Sequence, residues 1–171
     1  MTRNSISESL FRDVLGRWAS GVAVITVRDA AGGDHGMTVS AFSALSLDPP
    51  LVLACIGHEA TIAGAVAAAD RFGLSVLAEH QEALSRQFAQ AETDRFEGVR
   101  MARSPRGLAF VPGALAHLEC TVNARHEGGD HTIVVGEVVH ATRQLPVDRG
   151  RAVEKLDELD LDAARVSDRE R

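Results

Sequence analysis

The sequence predicts a mainly β fold with flanking helices, built as a small barrel or sandwich with helices covering its ends. Three observations carry this prediction. Short β-branched runs recur along the chain, glycine- and proline-rich turns separate most of them, and two long runs near the C-terminus face each other across a glycine turn. The length of 171 residues with 45% hydrophobic residues suits one domain rather than two.

The first third of the chain is predicted to form a helix followed by three strands. Apolar residues near helical spacing predict an amphipathic helix over residues 5–19, with Ser5 or Ser7 as its cap. The run GVAVITV, residues 21–27, predicts a strand that ends in the turn-rich segment 29–36. The stretch GMTVSAFSALSLDPPLVLACI, residues 36–56, then predicts a polar strand, a break at the two prolines and a buried strand.

The middle of the chain alternates helices and strands before a long hairpin. Small residues predict one helix, a β-branched run predicts a strand, and a run with Leu84 and Phe88 four apart predicts a second helix. An irregular segment separates these elements from a hairpin with a GGD turn at 128–130. In order, these predicted segments are helix 59–70, strand 72–78, helix 79–90, irregular 91–113, and hairpin arms 114–127 and 131–142.

The composition changes after the hairpin, so we expect two regions. Residues 1–145 form the predicted folded domain, and residues 146–171 form a charged C-terminal tail that is helical in part.

The composition also excludes several functional classes. The net charge of −6 gives no basic surface for nucleic acid. The chain has no long apolar stretch or leader pattern, so we expect a cytoplasmic protein without a membrane partner. The two cysteines and seven histidines have no metal-ligand spacing, and the sequence contains none of the glycine-rich nucleotide fingerprints or the common hydrolase signatures.

Two features have both a structural and a functional interpretation. The hydroxyls of Thr38, Ser40 and Ser43 are either solvent-facing strand residues or a polar wall for a ligand. The segment Gly128–His131 is either an ordinary hairpin turn or a turn that places an imidazole at the rim of a barrel. Residue spacing does not separate these alternatives.

Six segments in order decide the interpretation, because together they resemble the flavin reductase-like family. The match runs over roughly residues 10–142 and is most similar to the small NAD(P)H:flavin reductase components of two-component flavin-dependent monooxygenases. The segments are FRDVLGRWASGVAVIT, GMTVSAFSALSLDPPLVLAC, FGLSVLAEHQEALSRQFA, DRFEGV, GALAHLEC and GGDHTIVVGEVV.

The resemblance implies a flavin-binding split β-barrel that works as a homodimer, with the flavin near the subunit interface. It also implies roles for individual residues. His131 is assigned to the nicotinamide substrate, and Thr61 and Arg86 are assigned to the flavin phosphate. Phe88 lies in the same matched segment as Arg86 and is also assigned to the cofactor site. Contacts to the isoalloxazine ring and ribityl chain are assigned to Met37, Thr38, Val39, Ser40, Ala41, Ser43, Cys55 and Ile56.

The implied activity is hydride transfer from NADH or NADPH to FMN or FAD, with reduced flavin passing by diffusion to a partner monooxygenase. Three features depart from the family pattern: Ser40-Ala41 replaces the usual Asn-Ser, the segment 143–153 has no aromatic residue, and the acidic tail has no counterpart. A non-catalytic flavin carrier of the same fold and a split-barrel dimer without flavin are therefore the alternatives.

Overall fold

The computed structural model describes residues 6–91 and 94–144. The elements of this part are α1 (Glu8–Leu15), β1 (Ala23–Arg28), β2 (Asp34–Val39), β3 (Phe42–Leu47), β4 (Pro50–Gly57), α2 (Ala63–Ala68), β5 (Arg71–Val76), a 3-10 turn (Glu79–Gln81), α3 (Glu82–Ala89), β6 (Ala102–Arg103), β7 (Ala109–Phe110), β8 (Ala116–Gly128) and β9 (His131–Arg143). The predicted mainly β class with flanking helices is confirmed, and the predicted tail at 146–171 lies outside the described residues.

Seven strands form one antiparallel sheet in the order β2-β1-β5-β8-β9-β4-β3. The edge strands β2 and β3 are consecutive in the chain and are joined by only Ser40 and Ala41. The sheet therefore curls until its two edges come close, as the twist of antiparallel sheets favours. Within the described residues no ladder connects β2 to β3, so the barrel is open along this line.

The inner face of the curled sheet holds the main core. Fully buried side chains from β1, β4, β5 and β9 meet there, among them Ile25, Ile56, Phe72 and Val134. Gly136 is required on β9, since a Cβ at this position would lie 2.5 Å from the Phe72 ring. These contacts make β1, β5, β8 and β9 a rigid base for the edge strands.

A second cluster covers the outer face of β1. Val24, Leu77, Phe88, Val111 and Ala114 are its buried members. Phe88 of α3 also packs edge-on against Phe96, with ring centroids 5.2 Å apart. Because of this packing, α3 and the segment after it lie against β2.

Several predicted element bounds need correction. The predicted polar strand is two strands, because the chain changes partner from β1 to β4 at Ser40-Ala41. The first four residues of the predicted helix 59–70 form turns, and α2 has only six residues. The segment 91–113 also contains the short strand pair β6 and β7 rather than only irregular chain.

Helix α1 has the predicted amphipathic pattern, and Ser7 caps it by accepting a hydrogen bond from the Leu10 backbone N–H. None of the residues of α1 is buried in the described part of the chain. The exposed apolar side chains are Leu10, Phe11, Val14 and Leu15 of the helix, with Ile6 just before it and Trp18 just after it. None of the helices within residues 6–91 and 94–144 is long and apolar enough to cross a membrane.

Candidate functional site

The turn from β2 to β3, which we call the β2–β3 corner (residues 39–43), carries exposed hydroxyl residues at the sheet edge. The side chains of Ser40, Ala41 and Ser43 are exposed, and the Ser43 hydroxyl donates to the Ala44 carbonyl at 3.0 Å. Edge strands leave backbone N–H and C=O groups on one side without ladder partners. The corner therefore offers hydroxyls and open backbone groups without a formal charge.

The end of β4 connects this corner to the hairpin turn of β8 and β9. The Cys55 backbone N–H donates to the Ala41 carbonyl at 2.8 Å. Two residues further along β4, Gly57 is the ladder partner of His131. At about 3.4 Å per residue, His131 is placed roughly 7 Å along the strands from the corner. The polar strand and the GGDH turn thus lie at the same end of the sheet.

His131 is half-exposed and lies beside Gly57. A Cβ at Gly57 would be 3.5 Å from the imidazole Nε2, so the ring covers the backbone there. Its Nδ1 lies 2.7 Å from an oxygen of Asp130. Since a carboxylate only accepts hydrogen bonds, Nδ1 carries the proton of this pair. The same hydrogen bond holds the pKa of the Asp130 carboxyl below its usual value.

A cleft of about 180 Å³ lies along the open side of β2. Its lining includes the first half of β2, the turn before α2 and the segment after α3, namely Asp34, His35, Gly36, Thr61, Ile62, Ala91, Asp94, Arg95 and Phe96. Pockets that take a whole drug-sized ligand are usually about 300–1,000 Å³. The cleft is therefore suited to one part of a ligand rather than to all of it.

Arg95 is the basic residue of this cleft. Its Nη1 donates to the Gly36 carbonyl at 2.8 Å, and its Nε donates to the Gln90 carbonyl. Partial burial lowers the pKa of the Arg95 guanidinium from its ordinary value. A guanidinium remains protonated at neutral pH, so a positive charge stands at the cleft.

The start of β2 is held by side chains from neighbouring segments. Arg103 forms a two-pronged ion pair with Asp34, with N–O distances of 2.9 and 2.6 Å. His35 contacts the Asp29 carboxylate at 2.8 Å, and this hydrogen bond lowers the pKa of the Asp29 carboxyl. The Thr38 hydroxyl donates to the Ser85 carbonyl of α3 at 2.6 Å. This strand is therefore fixed by contacts within the chain.

Some residues assigned from the family resemblance do not present side chains to solvent. Val39, Ile56 and Phe88 are buried, with exposed fractions of 4%, 2% and 0%. Met37 is partly buried against the main core. The side chains of Val39, Ile56 and Phe88 therefore pack into the core, whereas part of the Met37 side chain remains accessible.

The two assigned phosphate residues differ in position. Thr61 is exposed and lines the cleft, although α2 begins at Ala63 and the Thr61 side chain does not cap it. Arg86 lies on the exposed surface of α3 in an ion pair with Glu82, and it does not line the cleft. Arg95 does line it. The sequence assigns Arg95 no role, although the segment DRFEGV (residues 94–99) that contains it is among the segments on which the resemblance rests.

Comparisons with known proteins identify the family. A model of the flavin reductase like domain matches residues 15–153. The chain is 45% identical to an NADH-dependent flavin reductase of a Rhodococcus species, over 74% of this chain and 72% of that protein. It is 40% identical to the reductase subunit HsaB of a flavin-dependent monooxygenase from Mycobacterium tuberculosis, over 78% of this chain and 71% of that protein.

A solved structure agrees with the sequence matches. The NADH:FAD oxidoreductase SgcE6 of Streptomyces globisporus, in complex with NAD and FAD fragments, superposes with a TM-score of 0.77 at 40% identity. The match covers 81% of this chain and 83% of that one. The chain belongs to the flavin reductase-like family.

Proposed function

We propose that the protein is a cytoplasmic NADH-dependent flavin reductase that supplies reduced FMN or FAD to a flavin-dependent monooxygenase. Relatives that match this chain over most of its length are NADH-dependent flavin reductases and reductase subunits of flavin-dependent monooxygenases. Two solved structures share the fold: BorF, the flavin reductase component of a two-component tryptophan halogenase, at 32% identity, and the flavin reductase PheA2 at 34% identity. Both the sequence and the fold therefore point to an oxidoreductase.

One observation of the structure carries the proposal: the exposed β2–β3 corner and His131 both contact the end of β4, and Thr61 and Ile62, in the turn that follows β4, line the cleft. The groups at the corner match the chemistry of a flavin. An isoalloxazine edge has carbonyl and N–H groups, which hydroxyls and open backbone groups bind without a formal charge. Arg95 and Thr61 give the cleft a cation and a hydroxyl, which suit a phosphate.

The assigned roles follow this arrangement. Ser40, Ala41 and Ser43 bind and orient the flavin at the corner, and Cys55 supports the corner through its bond to the Ala41 carbonyl. His131 orients the nicotinamide nucleotide through its free Nε2, since Nδ1 is engaged by Asp130. The hydride transfer itself is chemistry that the nicotinamide and the flavin supply when both are bound. The chain contributes binding and alignment of the two rings.

The proposal includes a homodimer. The apolar residues of α1 are exposed, and on β3 Leu45 and Leu47 are 50% and 92% exposed. Exposed apolar residues grouped on one element are typical of a protein–protein interface. A second copy is the occupant that the resemblance implies, and it would cover β3 next to the β2–β3 corner.

Multiple-turnover kinetics test this function. A small amount of protein is mixed with excess FMN, FAD or riboflavin and with NADH or NADPH in air, and loss of the reduced-nicotinamide absorbance is followed. We expect many turnovers per protein with NADH, because free flavin acts as a substrate. Flavin binding without nicotinamide oxidation would instead identify the non-catalytic carrier, and absence of flavin binding would refute the proposal.

A further inference from the structure

We propose that Arg95 is the residue that holds the phosphate of the flavin, in the cleft beside β2. This inference rests on the proposed function, because it assigns a part of the flavin to the cleft. It replaces Arg86 as the phosphate partner. The argument uses the fixed position of the guanidinium, the charges around it and the contrast with Arg86.

The Arg95 guanidinium is fixed before any ligand arrives. Two of its five N–H groups donate to the carbonyls of Gly36 and Gln90. These two bonds orient the planar group, and three N–H donors remain. A pre-oriented guanidinium loses little side-chain entropy when it binds an anion.

The charge of Arg95 is not balanced by an ion pair with any carboxylate in the described part of the chain. Both oxygens of Asp34 are engaged by Arg103. One Asp94 oxygen accepts from the Phe96 backbone N–H at 3.0 Å, while its side chain faces solvent. An anion in the cleft would therefore meet a cation that has unused donors, with the Asp94 carboxylate as the competing negative charge in the lining.

The cleft also has a suitable place in the fold. Gly36 and Ser40 are four residues apart, which corresponds to roughly 13 Å along an extended strand. A bound flavin has its ring and its phosphate at opposite ends of the ribityl chain, so the two groups need separate sites. The corner offers neutral polar groups, whereas the cleft offers Arg95 and the exposed Thr61 hydroxyl.

Arg86 provides a matched contrast. Its guanidinium contacts Glu82 one turn earlier on α3, and the two side chains are 76% and 70% exposed. Exposed pairs of this type contribute little to stability. Arg86 is therefore the control position for a change of one arginine near the site.

Equilibrium binding of FMN and riboflavin tests the proposal, because riboflavin lacks only the phosphate. Flavin fluorescence is titrated with the wild-type protein, Arg95→Gln and Arg86→Gln. We expect Arg95→Gln to weaken FMN binding by about 10- to 100-fold, the range for loss of a charge-assisted hydrogen bond. Riboflavin affinity should change by less than about threefold, and Arg86→Gln should leave both affinities near their wild-type values.

Loss of both affinities to the same degree in Arg95→Gln would assign Arg95 a purely structural role and overturn the proposal. A raised KM for NADH with an unchanged ratio of FMN to riboflavin affinity would assign the phosphate to the nicotinamide nucleotide and overturn it as well. Failure of the wild-type protein to bind either flavin would instead refute the proposed function.

Two further measurements keep the proposal testable if Arg95→Gln does not fold. Arg95→Lys retains the charge but cannot form a two-pronged contact with a phosphate. This variant should therefore lose part of the FMN affinity and none of the riboflavin affinity. In the wild-type protein, inorganic phosphate should compete with FMN and not with riboflavin. Equal competition with both flavins, or with neither, would contradict a phosphate subsite in the cleft.

Discussion

The edge strands β2 and β3 are neighbours in the chain, but their surroundings are opposite. Strand β2 is covered by α3 and the segment after it, through Thr38–Ser85, Arg95–Gly36 and Arg103–Asp34 contacts. Strand β3 pairs only with β4 and exposes most of its side chains, including Leu47 at 92%.

The difference concerns how each side of the proposed binding site is held in place. The side formed by β2 packs against other segments of the same chain, so its position depends on internal packing. The side formed by β3 has an apolar surface that nothing in residues 6–91 and 94–144 covers. We therefore expect changes behind β2 to affect folding, and changes on β3 to affect assembly.

Removing the Phe88 ring should have the largest effect, because this side chain is fully buried between α3, β2 and Phe96. We expect Phe88→Ala to lower the free energy of unfolding by about 3–5 kcal/mol, measured by urea denaturation. Phe88→Leu, which retains more of the buried volume, should lose clearly less. Equal stability of Phe88→Ala and wild type would mean that α3 does not hold β2.

Charges on β3 should break the proposed homodimer rather than the fold. We expect the double change Leu45→Glu and Leu47→Glu to raise the dimer dissociation constant by about 10- to 100-fold, because carboxylates would be buried in an apolar interface. Analytical ultracentrifugation measures this constant, and Arg86→Gln on the exposed face of α3 is the control. An unchanged dissociation constant would show that β3 is not part of the interface.

The third prediction concerns His131, which pairs with Gly57 at the end of β4. We expect His131→Ala to raise the KM for NADH about tenfold, the effect of losing one ligand contact, with little change in flavin affinity. Steady-state kinetics and a flavin titration separate the two quantities. If flavin affinity falls and the KM for NADH does not change, the assigned role of His131 is wrong.

The smallest effect should come from the Arg103–Asp34 pair at the start of β2. The Arg103 side chain is 47% exposed, so solvent screens the pair, and Arg103→Gln should lower the free energy of unfolding by about 0.5–1 kcal/mol. Arg12→Gln removes a fully solvated pair on α1 and should lose only about 0.3 kcal/mol. Identical effects of the two changes would mean that Arg103 does not secure β2.

Much of the fold could be predicted from local patterns. The β-branched runs gave β1, β4 and β5 within about two residues, and the GGD turn with its two arms gave the β8–β9 hairpin. Ser7 was recognisable as a helix cap from its place before the apolar pattern. In these elements the local signal and the tertiary contacts agree.

The break at Ser40-Ala41 was not predictable, because alternation continues through residues 36–43 and only the change of ladder partner creates the corner. The burial of individual side chains was also not predictable from the sequence. Phe88 and Ile56 belong to segments that carry the resemblance, but the sequence does not say that their side chains point into the core. The position of Arg95 was not predictable, because its hydrogen bond to the carbonyl of Gly36, 59 residues away, appears only in three dimensions.

The most direct test of the central claim is anaerobic rapid mixing of NADH with the protein and FMN, followed by the oxidised-flavin absorbance. Removal of oxygen prevents reoxidation, so each hydride transferred bleaches one flavin. The account predicts rapid bleaching, slowed in His131→Ala at low NADH concentration. Flavin that binds the wild-type protein and stays oxidised in the presence of NADH would contradict it.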